Sequence, residues 1–437
     1  MKKQLKFPYD FLWGTATASH QIEGGQKNDW VKWEIKNADL LAEKSEKNFL
    51  WNPNWKKFKS EAEKPENYIS GMACDSWNRF EEDFNIIQFL SLKAYRFSIE
   101  WSRIEPEEGK FDEDAISKYK KMIDSLRERK IEPFVTLWHW TLPVWLAERG
   151  GTTSKDFPEK FKIYTQKLVE SFGESVKFWV TLNEPDVQTS HSYFKGVWPP
   201  QKKCLRLSFV AIKNLISAHK LSFEVIKKKN INAQVGIAKH QVSFEILGQS
   251  NKLSILDKDF KMPHKFSPKN IWNKILKKVA DRIWNFYFLD KISEHQDFIG
   301  LNHYNRNVID GWYGKNPNKT QTDFGWEFHP ESIYQSLIEL KKYNKPVYIT
   351  ENGIADAFDN LREEFVRRSL IAVHQAMLDG VEVRGYFYWS LLDNFEWDKG
   401  YWLKFGLVAV DRENFERKIR DSAYFYKKIA EDNFIEN

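Results

Sequence analysis

Residues 178–185 read Phe-Trp-Val-Thr-Leu-Asn-Glu-Pro, and residues 346–353 read Pro-Val-Tyr-Ile-Thr-Glu-Asn-Gly. Each is a short run of aromatic and β-branched side chains, apolar on both parities, that ends in a glutamate. Strict alternation would mark a strand wet on one face. A run with little alternation suits a strand buried on both faces, as in a parallel sheet covered by helices. Glu184 and Glu351 then stand at the carboxyl ends of two such strands.

Outward from these two runs the same pattern recurs along the chain. Strand candidates are Leu12 to Ser19, Ala94 to Trp101, Pro133 to His139, Phe178 to Asn183, Gln234 to Lys239, Phe298 to Tyr304, Pro346 to Glu351 and Arg384 to Leu391. Helix-period segments follow them, around Trp77 to Leu90, Ala115 to Arg129, Pro158 to Phe172, Ser208 to Lys228, Ile271 to Ile292, Ser332 to Tyr343, Arg362 to Leu378 and Ser422 to Ala430. Eight strands each followed by a helix predict an α/β fold, a single (β/α)8 TIM barrel spanning residues 1–437. A doubly wound open sheet also alternates, but it normally carries a Gly-rich phosphate turn after an early strand, and no G-x-G-x-x-G or P-loop occurs. The extra length falls in Gln21 to Ser76, Asp186 to Leu207, Gln241 to Lys269, Asn305 to Glu331 and Asp393 to Arg420. These are elaborated loops at the C-terminal face of the strands, where barrel active sites are built.

Polar residues collect at those strand ends. His20, Gln21 and Glu23 follow the first; Arg96 and Glu100 lie in the second; Trp138, His139 and Trp140 end the third; Asn183 and Glu184 end the fourth. Asn302, His303 and Tyr304 close the sixth, Glu351 and Asn352 the seventh, and Trp389, Asp393, Asn394, Glu396 and Trp397 the eighth. Any one of these suits a cap or a satisfied core polar group, but capping does not explain seven of eight strands. If the fourth and seventh ends converge, Glu184 and Glu351 form the facing carboxylate pair used to break glycosidic bonds. Their roles separate only if their surroundings split their pKa values. Glu184 has no basic neighbour in sequence and suits the protonated acid. Glu351 needs cations and donors, for which Arg96 and Tyr304 are the candidates. A separation of about 5 to 5.5 Å implies a nucleophile and retention, and a clearly larger gap implies water attack and inversion.

Composition narrows the class further. Of 437 residues, 42% are apolar and 29% charged, so there is ample material for a core and no sign of disorder. The 19 Trp, 17 Tyr and 33 Phe exceed what core filling needs and suit stacking against sugar faces. A net charge of +6, spread along the chain, implies no nucleic acid. Cys74 and Cys204 allow at most one bridge, which fits a reducing cytoplasm. Met1-Lys2-Lys3 and Ala16-Thr17-Ala18 imitate a cleaved leader, but Lys6, Pro8, Tyr9 and Asp10 interrupt its apolar middle, so none is expected. No uncharged apolar stretch approaches membrane-spanning length, and no membrane partner is expected. His139 and His303 lack metal-ligand spacing; neither metal nor cofactor is expected.

These residues resemble glycoside hydrolase family 1, the β-glucosidase and β-galactosidase family. The likeness runs from Phe11-Leu12-Trp13-Gly14 and Gln21-Ile22-Glu23-Gly24 through Tyr95-Arg96-Phe97-Ser98, Trp101-Ser102-Arg103, His139-Trp140, Thr181 to Pro185, Asn302 with Tyr304, and Thr350 to Gly353. It ends in Trp389 to Trp397, Gly400-Tyr401 and Phe405-Gly406-Leu407. The resemblance implies a retaining β-glycosidase with Glu184 as acid/base and Glu351 as nucleophile. It implies hydrogen bonds to sugar hydroxyls from Gln21, His139, Asn183 (to the 2-OH) and Glu396. Trp389 would floor the ring, with Trp397 and Trp140 beside it, and Arg96, Asn302 and Tyr304 would surround the nucleophile.

The branch acting on 6-phosphosugars has serine in place of Glu396, with lysine and tyrosine where this chain has Leu403 and Phe405, so an unphosphorylated terminal β-glycoside is the expected substrate. The branch that loses its acid to glutamine is excluded by Glu184. Gln21 and Glu396 can bridge hydroxyls of either 4-OH configuration, so β-glucosidase activity is expected with β-galactosidase or β-fucosidase side activity. Residues 28–76 differ from common bacterial members and are expected to shape the outer cavity around Trp51, Trp55 and Met72. Two other readings keep the same site: a transglycosidase whose acceptor is held by Trp198, Trp312 and Trp326, and a silent sugar-binding protein.

Overall fold

The eight strand runs close on one another. In the computed structural model, which describes residues 3–246, 269–311, 313–315 and 318–436, the barrel strands are β1 (Leu12–Ala16), β2 (Ala94–Ser98), β3 (Glu132–Trp138), β4 (Phe178–Asn183), β5 (Gln234–His240), β6 (Ile299–Asn302), β7 (Val347–Asn352) and β8 (Val383–Trp389). All neighbours are parallel, and β8 pairs back onto β1 through Gly385↔Leu12 to Trp389↔Ala16. Outside them lie α1 (Ser76–Phe89), α2 (Glu113–Glu128), α3 (Phe157–Phe172), α4 (Leu205–Lys229), α5 (Lys269–Ala280), α6 (Ile333–Leu340), α7 (Arg362–Leu378) and α8 (Asp421–Asp432). The helix expected over 271–292 is α5 followed by a π-helical turn, Asp281–Phe286, and a further helix, Tyr287–Ile292.

Five strands stop short of their expected ends, at Ala16, Ser98, Trp138, Asn302 and Trp389. The apolar runs continue because the loops beyond are themselves buried: Ile99, Leu391 and Leu392 have almost no exposed surface. Sequence periodicity reports burial and does not see where the ladder ends.

Two apolar layers hold the barrel. The inner one stacks Phe134 on Phe178 at 4.1 Å, with Phe298, Tyr348 and Phe387 edge-on around them. The outer one packs strand faces such as Leu137, Trp179 and Ile237 against the helices. With the bottom filled by rings, the open end of the barrel is its carboxyl face.

Residues 28–76, expected as loop, contain helices Asp29–Glu43, Ser45–Phe49 and Trp55–Ala62. The first carries its own signal: Asn28 caps it through the amide of Val31 at 3.0 Å, and Trp30, Trp33, Asn37 and Ala38 share its buried face. Gln4–Lys6 pairs with Phe434–Glu436, tying the chain ends together. A small sheet, Ser243–Ile246 beside Arg306–Asp310 and Tyr313–Lys315, rises from the loops after β5 and β6. Most of the loop expected over 241–269 lies outside the described residues, as does Trp312.

Candidate active site

Both glutamates reach the cavity through breaks in strand register. In β4 the pairing with β5 steps from Val180↔Gly236 to Asn183↔Ala238, three residues against two. Phe178 and Val180 face the barrel interior, so strict alternation would send Leu182 inward and Asn183 out. The shift puts Leu182 into the outer core and turns Asn183 in. Glu184 follows with φ of 43°, in the left-handed region, and Pro185 opens a short helix, Pro185–Thr189. In β7 a second shift, Ile349↔Leu301 then Glu351↔Asn302, brings Glu351 inward beside Thr350. Directly after it the backbone passes so close to β8 that a Cβ on Gly353 would lie 1.8 Å from the Trp389 carbonyl oxygen, so no other residue fits.

Arg96, fully buried on β2, organises the space between them. Its Nε donates to Thr136 Oγ1 at 3.0 Å, its Nη1 to Glu351 Oε1 at 2.5 Å and its Nη2 to Asn183 Oδ1 at 2.7 Å. Tyr304 donates its hydroxyl to the other Glu351 oxygen at 2.7 Å. Asn302, opposite Glu351 in register and acting on its carboxylate, reaches the other carboxyl as well: its amide donates to Glu184 Oε1 at 2.8 Å and to Asn183 Oδ1 at 3.1 Å, while Thr350 holds its oxygen at 2.7 Å. Its side chain thus spans from the Glu351 pairing to β4.

The two carboxyls therefore titrate differently. Burial raises the Glu184 pKa, and the nearby Glu351 charge raises it further, to about 8, against the smaller opposing effect of Asn302. Burial also raises Glu351, but the Arg96 charge, the Tyr304 hydroxyl and the Arg96 hydrogen bond pull it back. Two like charges this close do not both ionise readily, and the one paired with Arg96 ionises first. One proton donor and one bare carboxylate, facing a common space, can protonate a leaving oxygen and attack the carbon that bears it.

The space is a cavity of about 600 Å3. Glu184, Glu351, His139, Trp389, Glu396 and Trp397 line its inner half. His139 is held neutral, its pKa driven well below the usual value by burial and then by Arg96. Asn183 Nδ2 donates to His139 Nε2 at 3.0 Å, which leaves the proton on Nδ1, and that atom has no partner among the described residues. The His139 ring lies between Trp389 and Trp397, 6.0 and 5.9 Å away and nearly parallel to both. Trp397 in turn stacks on His20 at 5.3 Å. Trp140 lines the wall, with its indole N–H engaged by the Asn183 carbonyl at 2.9 Å.

Gln21 does not itself line the cavity. It is buried behind Glu396, with its amide donating to Phe395 O at 2.7 Å and to Glu396 Oε2 at 3.3 Å, and its Oε1 has no partner among the described residues. Burial lifts the Glu396 pKa to about 8, with Lys399 opposing, so Glu396 is a donor as well as an acceptor near neutral pH.

The outer half is aromatic: Trp51, Trp198, Trp284, Phe324, Trp326 and Phe405. Trp198 and Trp326 stand where the sequence put them, and Trp51 does too. Trp55 does not; it packs on Phe49 and is 3% exposed, because its helix turns that face to the core. Met72 is exposed and absent from the cavity wall. His240 was missed because β5 runs one residue beyond its expected end, so the fifth strand also ends in a cavity residue. Trp284 was hidden inside the helix expected over 271–292. No group of three or more His, Cys, Asp or Glu suited to a metal occurs among the described residues.

Comparison with known proteins gives one answer. The model of glycosyl hydrolase family 1 matches residues 3–435. A 1,4-beta-D-glucan glucohydrolase of Thermotoga neapolitana is 35% identical, covering 98% of this chain and 99% of the relative. Beta-glucosidase A of Thermotoga maritima is 34% identical over 99% of each. Among solved structures, a beta-glycosidase from Pyrococcus horikoshii superposes with a TM-score of 0.84 at 36% identity, covering 100% of this chain and 97% of that one. A Thermotoga maritima beta-glucosidase in complex with castanospermine gives 0.80 at 31%, covering 99% and 100%.

Removing one partner of a buried ion pair strands the other. Arg96→Met is expected to lower stability by about 3–5 kcal/mol. In the variant that still folds at low temperature, the acid limb of the pH–rate profile should shift to higher pH, because the lost cation no longer holds Glu351 ionised. Chemical denaturation and a pH–rate series check the two effects; an unshifted acid limb would detach Arg96 from Glu351.

Proposed function

The chain belongs to glycosyl hydrolase family 1 and is a retaining β-glycosidase, and we propose that it removes terminal, unphosphorylated β-D-glucosyl units by way of Glu184 and Glu351. In this reading Glu351 attacks the anomeric carbon while Glu184 gives its proton to the departing glycosidic oxygen. The glycosyl ester that forms removes the charge from Glu351. The main electrostatic reason for the raised Glu184 pKa disappears with it, so Glu184, now ionised, stays ionised long enough to take a proton from water. That water attacks the same carbon from the leaving-group side, frees Glu351, and restores the proton to Glu184. Two inversions at one carbon give net retention.

The observation that carries the reading is the split environment of the two carboxyls, one bonded to Arg96 and Tyr304 and one buried beside a charge. The glycone is read from His139, Asn183 and Glu396, with Gln21 holding Glu396 from behind and Trp389 and Trp397 as its apolar walls. Leu403 and Phe405 are buried apolar residues, and the cation nearest Glu396, Lys399, is held by Asp398 at 2.6 Å, so a sugar phosphate finds no free partner there. The glucosidase names of the relatives favour glucose over galactose or fucose. They give no support to a transglycosidase or to a silent sugar-binding protein. We take residues 1–437 as one catalytic domain. Unpaired Cys74 and Cys204 favour a reducing compartment such as the cytoplasm, and among the described residues no helix is long and apolar enough to cross a membrane.

Four outcomes are expected. On aryl β-glycosides, kcat/KM for the glucoside should exceed those for galactoside and fucoside, and the reverse order would reassign the glycone. Glu351→Ala should lose turnover and regain it with azide, yielding an α-glycosyl azide detectable by NMR. Absence of any rescue counts against Glu351. Glu184→Ala should lose about 10^2–10^4-fold on poor leaving groups and little on dinitrophenyl glycosides. The wild-type rate should fall as pH rises through about 8, where Glu184 loses its proton, and this alkaline limb should vanish in the variant.

A further inference from the structure

The run from α5 through residue 287 carries an apolar ridge left exposed by the described residues. Ile271, Ile275, Val279, Ile283 and Tyr287 recur every fourth residue and are all 44–71% exposed. Trp272, at the start of the same ridge, is 44% exposed. Monomeric proteins rarely leave so many large apolar side chains contiguous on one face. Along one edge of the ridge stand Lys274, Lys278 and Arg282, exposed and in no ion pair among the described residues. An apolar stripe beside a cationic edge, with Trp and Tyr at its two ends, is the pattern of a helix that lies in a membrane interface.

A second cluster stands on the same rim. Phe194, Val197, Leu205 and Phe209 are 42–66% exposed, and Lys202, Lys203 and Arg206 stand exposed among them. Both segments contribute to the wall of the cavity. Trp284, on the inner side of the ridge, donates to His240 at 3.2 Å and lines the cavity, as do His191 and Lys195 next to Phe194. We propose that this rim, residues 194–209 together with 271–287, docks on the surface of an anionic lipid bilayer. The occupant follows from charge. A second copy joined through the same patch by two-fold symmetry would bring these cations face to face. A surface of anionic headgroups attracts them and accepts the apolar side chains between them. Docking in this pose holds the cavity mouth at the lipid surface. The sequence-based expectation of no membrane partner concerned only spanning helices, and a helix lying on the surface evades that criterion.

The test uses the full chain and sedimentation with vesicles of phosphatidylcholine alone or mixed with phosphatidylglycerol. The protein should pellet with the mixed vesicles, much less with phosphatidylcholine alone, and should be released by high salt. Each basic side chain at such a surface contributes about fivefold in affinity, so Lys274→Ala with Lys278→Ala should weaken partition by about 25-fold. Ile275→Glu with Val279→Glu should abolish it. Both double variants should retain the wild-type rate on a soluble aryl glycoside, which reports folding; if the glutamate pair fails there, the lysine pair decides alone. Failure of the wild type to pellet with mixed vesicles overturns the proposal, as does unchanged partition of the variants. A wild-type dimer that Ile275→Glu with Val279→Glu converts to monomer also overturns it, because the ridge would then be a subunit contact.

Discussion

A guanidinium with no access to water sits at the mouth of the barrel, and the site is arranged around satisfying it. Arg96 cannot lose its proton, so every donor must find an acceptor and the charge must find a counter-charge. Glu351 supplies the charge and Asn183 and Thr136 the acceptors. From there the constraint spreads. The Asn183 oxygen also accepts from Asn302, and Asn302 reaches Glu184, so one chain of hydrogen bonds runs from the ionised carboxylate to the protonated one. The order of titration follows from this connectivity. Arg96 decides which glutamate is bare, and the bare one keeps its neighbour protonated.

The backbone prepares for that arrangement before any side chain acts. A parallel barrel of perfect register would point Glu351 away from the cavity and would leave Asn183 in the outer layer. The register shifts in β4 and β7 fall immediately before those residues and exchange their faces. Irregular pairing costs ladder hydrogen bonds, and it is tolerated here because the interior rings around Phe134 and the outer helical layer hold the strands below the breaks. Gly353 completes the arrangement by letting β7 and β8 approach within a distance no Cβ permits.

What could be read in the sequence follows burial. Strands β1 to β8 were legible because double-sided burial writes continuous apolar runs, and the glutamates were legible because their strand ends are short and polar. The reach of Asn302 to Glu184 was not, since a register shift leaves no trace in composition. The helices of residues 29–62 were hidden in a segment read as a loop shaping the outer cavity, although Trp55 is core together with Trp30 and Trp33. His240 was lost to a single residue of strand length. The ridge on α5 was not legible, because a 3.6-residue period says that one face differs from the other and does not say which face is inside.

The two halves of the cavity recognise by different physics, and that difference sets where selectivity resides. The inner half presents directional groups in a dry setting: the His139 Nδ1 donor and a Glu396 that can donate or accept. A sugar lacking a matching hydroxyl leaves one of these buried and unpaired, which discriminates by orders of magnitude. The outer half presents flat rings, Trp51, Trp284 and Trp326 among them, whose attraction varies little with the orientation of what lies against them. Apolar walls reject a modest change of leaving group by only about 1–3 kcal/mol. A chain built this way distinguishes sugars through hydrogen bonds it has already half made, and meets many leaving groups with surfaces that ask little beyond an apolar face.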